Sequence, residues 1–160
     1  MYCYKKILFI IIFLLLVTSC LTVKKVDFIR PVDTTTKIIE KQIIKDFYIE
    51  DMDLFASNKF TSSRINDFYQ LNDSTVCVLI NPENKPINKS PYYAFTTWSN
   101  SPKSIYYSFK YPEDFNHRYI PKLKYNDTWS IIDSTKVFNI DNSYSIKLDV
   151  SSNPITVAAQ

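Results

Sequence analysis

From residue 43 onward, short β-branched and aromatic runs alternate with clusters of Asn, Asp, Pro and Ser. An apolar/polar period of two marks a half-buried strand, because successive side chains leave a strand on opposite faces. On this pattern strands are expected at 43–49, 67–71, 75–80, 92–98, 104–111, 118–125, 129–133, 143–148 and 154–158. The clearest is 104–111, where Ile105, Tyr107, Phe109 and Tyr111 recur at every second position and are expected to face a core. Pro91 and Pro154 stand at strand starts, where a missing N–H does least harm. No stretch of comparable length has helical periodicity, and no repeat is evident. The pattern predicts an all-β fold, an antiparallel β-sandwich of about eight or nine strands.

The pattern changes before residue 43. Lys5 and Lys6 precede an unbroken apolar run from Ile7 to Val17, followed by Thr18, Ser19 and Cys20. This is the layout of a secretory signal, and the run is about half of the roughly 20 apolar residues that a membrane-spanning helix needs. Val17-Thr18-Ser19-Cys20 matches the bacterial lipobox, in which small residues let a peptidase close on the backbone beside a Cys that takes up lipid. Each acyl CH₂ contributes about 0.8 kcal/mol of membrane affinity, so a multiply acylated Cys20 is expected to hold the chain durably in a bilayer. Residues 1–19 are read as a lipoprotein signal peptide, 20–42 as the lipidated N-terminus and tether, and 43–160 as the sandwich domain. Leu21 and the following Thr22-Val23-Lys24-Lys25 carry neither a retention Asp nor an acidic cluster. The expected location is the cell envelope, at the outer membrane facing the periplasm.

Composition refines this picture. The formal charge of +3 falls to +1 when Lys5 and Lys6 leave with the signal, which argues against a nucleic-acid partner. Cys3 is lost and Cys20 acylated, leaving Cys77 without a partner for an intrachain disulfide; in Val76-Cys77-Val78-Leu79-Ile80 it reads as a small core residue. A hydrophobic content of 46% supports a packed single domain. The chain has no Gly, so Asn and Asp must serve the turns, at Asn72-Asp73, Asn81-Pro82-Glu83-Asn84, Asn126-Asp127 and Asp141-Asn142. The final segment reads as a strand running to Gln160 without a polar tail, and the chain is expected to be the front part of a longer protein.

Candidate chemistry is sparse. His117 is the single His, so neither a His-x-x-x-His nor a His-x-His zinc pair is present, and position 120 is Ile rather than Glu. Without Gly there is neither a Gly-flanked nucleophile elbow nor a phosphate-cradling loop. Glu50-Asp51 and Glu113-Asp114 lie in turn-like stretches and read as surface charge. No catalytic residue and no metal ligand is assigned. Aromatic content remains, and Trp98, His117, Arg118, Tyr119 and Trp129 are the candidate members of a platform for a glycan or peptide.

Several motifs occur in order: Phe55-x-Ser57-Asn58-x-Phe60, Arg64-Ile65-Asn66-Asp67-Phe68, Ile80-Asn81-Pro82-Glu83-Asn84 and Pro91-Tyr92-Tyr93-Ala94-Phe95. Trp98-Ser99, His117-Arg118-Tyr119-x-Pro121-Lys122 and Asp127-Thr128-Trp129 follow. Together they resemble the β-sandwich that precedes the catalytic domain in bacterial zinc carboxypeptidases of the metallocarboxypeptidase family, on the cytosolic carboxypeptidase-like branch, over roughly 46–160. The resemblance implies an accessory domain supporting or shielding a peptidase. That family holds zinc through His-x-x-Glu and a distant His, with a Glu as base, and none of these positions exists here. It implies a catalytic domain after Gln160, with zinc bound there. The chain departs from the family pattern in lacking Gly near Thr61-Ser62 and before Trp129.

Mass spectrometry of the membrane fraction is expected to find an acylated peptide beginning at Cys20. An intact Met1 peptide on most molecules would overturn the lipoprotein assignment.

Overall fold

The computed structural model describes residues 42–82, 92–112, 117–140 and 143–159. The alternation resolves there into eleven strands. They are β1 (Asp46–Ile49), β2 (Leu54–Ser57), β3 (Asp67–Asn72), β4 (Thr75–Leu79), β5 (Ala94–Ser99), β6 (Lys103–Lys110), β7 (Lys122–Tyr125), β8 (Thr128–Ile131), β9 (Val137–Ile140), β10 (Ser143–Val150) and β11 (Ile155–Ala158). Two 3-10 turns, Glu50–Met52 and Ser134–Lys136, complete the regular structure, and no α-helix occurs among the described residues. One sheet runs β1-β2-β5-β11-β7-β8 and the other β3-β4-β6-β10-β9. The fold is an all-β sandwich.

Each of the nine expected segments contributes a strand. The two not anticipated, β2 and β9, are only four residues long. In β2, Leu54-Phe55-Ala56-Ser57 mixes strong and weak strand formers, so its place in the sheet comes from pairing rather than local preference. The strand expected to begin at Arg118 begins at Lys122, after Pro121, whose nitrogen cannot donate to a ladder. All pairs are antiparallel except β4 with β6. The chain leaves β4 for the other sheet, forms β5, and returns to lay β6 beside β4 in the same direction.

Alternate positions meet between the sheets. Leu54, Val76, Val78, Phe95, Ile105, Tyr107, Phe109, Ile146, Leu148, Ile155 and Val157 belong to one buried cluster. Tyr111, past the end of β6, is only half-buried against it. Cys77 is buried and its thiol is unpaired, yet it does not belong to this cluster. Its neighbours Val76 and Val78 take the inner face, so alternation turns Cys77 to the outer face, in register with Tyr69 and Ser108. Burial pushes its thiol pKa up, which disfavours the reactive thiolate.

Among the described residues, four take the left-handed backbone region that Gly usually fills: Asp53 at φ 43°, Ser62 at 66°, Asn126 at 44° and Asp127 at 64°. Asn126-Asp127 closes the β7–β8 hairpin, with Tyr125 paired to Thr128. Positive φ at both central residues is what a two-residue turn of type I′ requires, and Asn and Asp tolerate it best after Gly. The expected turn Asn72-Asp73 joins β3 to β4, with the Asn72 side chain accepting from the Ser74 N–H at 3.0 Å. Pro91, Glu83-Asn84, Glu113-Asp114, Asp141-Asn142 and the signal and tether through residue 41 lie outside the described residues. The described residues all fall within one compact unit, Lys37–Gln160. No helix among them is long and apolar enough to cross a membrane.

One hydrogen-bond chain crosses the apolar interior. The Tyr107 hydroxyl of β6 lies 2.9 Å from Thr97 Oγ1 of β5, and that oxygen donates to the Phe55 carbonyl of β2 at 2.8 Å. Thr97 therefore accepts from Tyr107 and joins the two sheets. Thr97→Val would strand the buried phenol and is expected to cost about 1–3 kcal/mol, whereas Tyr107→Phe removes one bond for about 1 kcal/mol. Urea unfolding of both variants checks the order, and equal losses would refute the role assigned to Thr97.

Candidate ligand groove

The outer face of the β1-β2-β5-β11-β7-β8 sheet is uneven because its alternate residues differ in size. On the two central strands, β5 and β11, it carries Ala94, Thr96, Thr156 and Ala158. Thr96 and Thr156 are cross-strand partners with hydroxyls 3.2 Å apart. The flanks carry larger groups: Phe60, Thr61, Ser62 and Tyr92 on one side, and Lys122, Lys124 and Trp129 from β7 and β8 on the other. Small residues between large ones leave a groove of about 840 Å³.

Local chemistry fixes both walls. Asn58, fully buried, accepts from the Lys45 N–H at 2.7 Å and donates to the carbonyls of Ile43 at 3.0 Å and Ile65 at 3.1 Å. Ser63 closes the next turn, its N–H donating to the Phe60 carbonyl at 3.1 Å and its hydroxyl to the Asn58 carbonyl. Arg64 and Ala94 exchange backbone hydrogen bonds, which holds this turn beside β5. The type I′ hairpin sets the opposite wall by pairing Lys124 with Trp129. Lys124 also meets Asp127 at 2.8 Å. Trp129, on the edge strand β8, is 47% exposed, and Phe60, in the turn after β2, is 39% exposed.

The five residues singled out from sequence do not converge. Trp129 lines the groove. Trp98 lies on the same outer face in another row, half-buried in a ladder with Phe55 at 5.4 Å and Tyr48 beyond it at 4.5 Å. Arg118 is exposed and Tyr119 half-buried. His117 is part of the structural packing: its ring stacks on Tyr144 at 3.6 Å and 10°, and Tyr93, Phe109 and Tyr111 surround it. The Tyr119 carbonyl can only accept, so Nε2 carries the proton, and Nδ1 accepts from the Tyr111 hydroxyl at 2.8 Å. Both nitrogens are committed, and no group of three or more His, Cys, Asp or Glu able to hold a metal occurs among the described residues. Burial lowers the His117 pKa below 6.5 and raises those of Tyr111 and Tyr93 above the phenol range.

The residues that sequence reasoning overlooked are Phe60, Thr96, Lys122, Lys124 and Thr156. A signal was present in Ala94-x-Thr96 and Thr156-x-Ala158, which put small groups on the same side of two strands. Strand adjacency, which makes these segments neighbours, is not written locally. No protein-family model matches the chain, and no curated protein matches it in sequence.

A His held neutral takes up its proton more readily in the unfolded chain. The stability it contributes is therefore full above 6.5 and lost as pH falls through that value toward the folded-state pKa. Asp46, Asp127, Asp133 and Asp149 are held below 3.8, chiefly by hydrogen bonds from Lys59, Lys124, Thr135 and Lys136, and act at lower pH. The Tm is expected to drop between about pH 7 and about pH 5, and His117→Phe to flatten that drop while lowering the Tm at neutral pH. An unchanged slope in the variant would contradict the assignment.

Proposed function

We propose that this chain is a non-catalytic ligand-binding β-sandwich of the bacterial envelope, tethered through acylated Cys20 at the outer membrane facing the periplasm, with glycan or peptide held in the groove. The observation that carries the reading is Trp129, 47% exposed on the wall of a groove whose other wall bears Phe60. A flat apolar ring beside hydroxyls suits an amphipathic ligand. Trp98, stacked and half-buried, serves the sheet instead.

A second reading rests on the ordered motifs that resemble the sandwich of zinc carboxypeptidases. In it the chain supports or shields a peptidase domain encoded downstream, where the zinc would be bound. His117 does not fit as a ligand here, because Tyr111 and Tyr119 occupy both of its nitrogens.

Single-Trp variants separate the indoles. In Trp98→Phe the remaining Trp129 is expected to be quenched efficiently by acrylamide and shielded by envelope polysaccharide or peptide; in Trp129→Phe that response should vanish. Two shielded indoles with no ligand response would remove the binding reading. Release of C-terminal residues from peptides by the purified chain with zinc would remove the non-catalytic one.

A further inference from the structure

Resting on the reading of the groove as a ligand site, we propose that its ligand is an anionic saccharide, a glycan bearing carboxylate or phosphate groups, with one ring on Trp129 and its charge beside Lys122 and Lys124. The groove's chemistry is one-sided. Among the described residues its lining offers hydroxyls, aromatic rings and two ammonium groups, and no carboxylate. Those residues also offer no carboxamide, the group that commonly recognises the hydroxyls of a neutral sugar by donating and accepting together. Lys122 has no carboxylate partner among the described residues, and its neighbour Lys124 has only Asp127, which is itself 94% exposed at the hairpin tip. Such an exposed pair holds weakly, so an incoming anion can draw Lys124 away from Asp127.

Backbone arrangement argues for a saccharide over a peptide. The floor strands β5 and β11 are each paired on both sides, β5 with β2 and β11, and β11 with β5 and β7. A peptide laid along the floor would find no free ladder to extend, which is the usual source of affinity for an extended chain. Ring faces, hydroxyls and charge remain, and these are the means by which a sugar ring and an acidic substituent are held. Trp129 supplies the flat surface, and Lys124, its cross-strand partner, stands beside it on the same face.

The test uses the mature chain and a panel of uronate and phosphosugar oligosaccharides, each beside its methyl-esterified or dephosphorylated counterpart, with an acidic peptide as control. Trp129 fluorescence is expected to respond to at least one anionic oligosaccharide and to its neutral counterpart about tenfold more weakly, with affinity falling as salt rises. Lys122→Gln and Lys124→Gln should each weaken binding about three- to tenfold. Asp127→Asn should strengthen it a few-fold by releasing Lys124, and Asn tolerates the positive φ at that position, so the hairpin survives. Equal binding of neutral and anionic forms, still dependent on Trp129, would overturn the anionic assignment and leave the groove reading intact. Tighter binding of the acidic peptide would overturn the saccharide assignment. No response of Trp129 to any ligand would overturn the groove reading and this inference together.

Discussion

The sandwich depends on burying an aromatic interior between its sheets, where the Tyr107 hydroxyl is partnered and that of Tyr93 has no partner among the described residues. Phe68, Phe95 and Tyr107 lie within about 6 Å of one another between the sheets. Full burial of such a side chain contributes about 1.5–3 kcal/mol, and a phenol left without an acceptor there forfeits a comparable amount. Thr97 prevents that loss by accepting a hydrogen bond from the Tyr107 hydroxyl and donating one to the Phe55 carbonyl. The same contact sets the register of β5, because a slip of one residue would turn Thr97 outward and Thr96 inward. With Thr97 inside, Ala94 and Thr96 must face out, and they form half of the groove floor. Core and candidate site are thus two faces of one strand.

A chain without Gly has to build its sharp turns from residues that resist them. A left-handed backbone costs a non-Gly residue about 1 kcal/mol or more, and each occurrence here has compensation nearby. The Asp53 carboxylate accepts from the side chains of Ser99, Asn100 and Ser101, tying the β1–β2 connection to the end of β5. Ser62 lies within the turn closed by Ser63 and braced by Asn58. Asn126 and Asp127 give the hairpin that puts Lys124 across from Trp129. The geometry is met by polar side chains, and two of the three turns form walls of the groove.

Aromatic residues divide among distinct tasks. One set fills the space between the sheets, and a second, with His117 at its centre, closes one end of the sandwich. The Tyr48-Phe55-Trp98 ladder stiffens β1, β2 and β5 on the outer face. Trp129 belongs to none of these. Neighbouring positions can serve opposite ends, as Tyr93 does in packing on Phe109 inside while Tyr92 lines the groove outside.

Local pattern was enough to read the class of fold, most of the strands and the inward row Ile105, Tyr107 and Phe109, because alternation and turn residues act over a few positions. It marked Asn126-Asp127 as a turn, since few residues accept positive φ. It could not separate Trp98 from Trp129, two indoles in similar strand contexts, because exposure depends on what the neighbouring strand carries. Trp98 meets Phe55 across the ladder and Trp129 meets Lys124. It likewise grouped His117 with a surface platform, although four aromatic rings, two of them the distant Tyr93 and Tyr144, pack around it. The groove is a property of strand order. Ala94 and Ala158 lie more than sixty residues apart in the chain, and only the pairing of β5 with β11 makes them one floor.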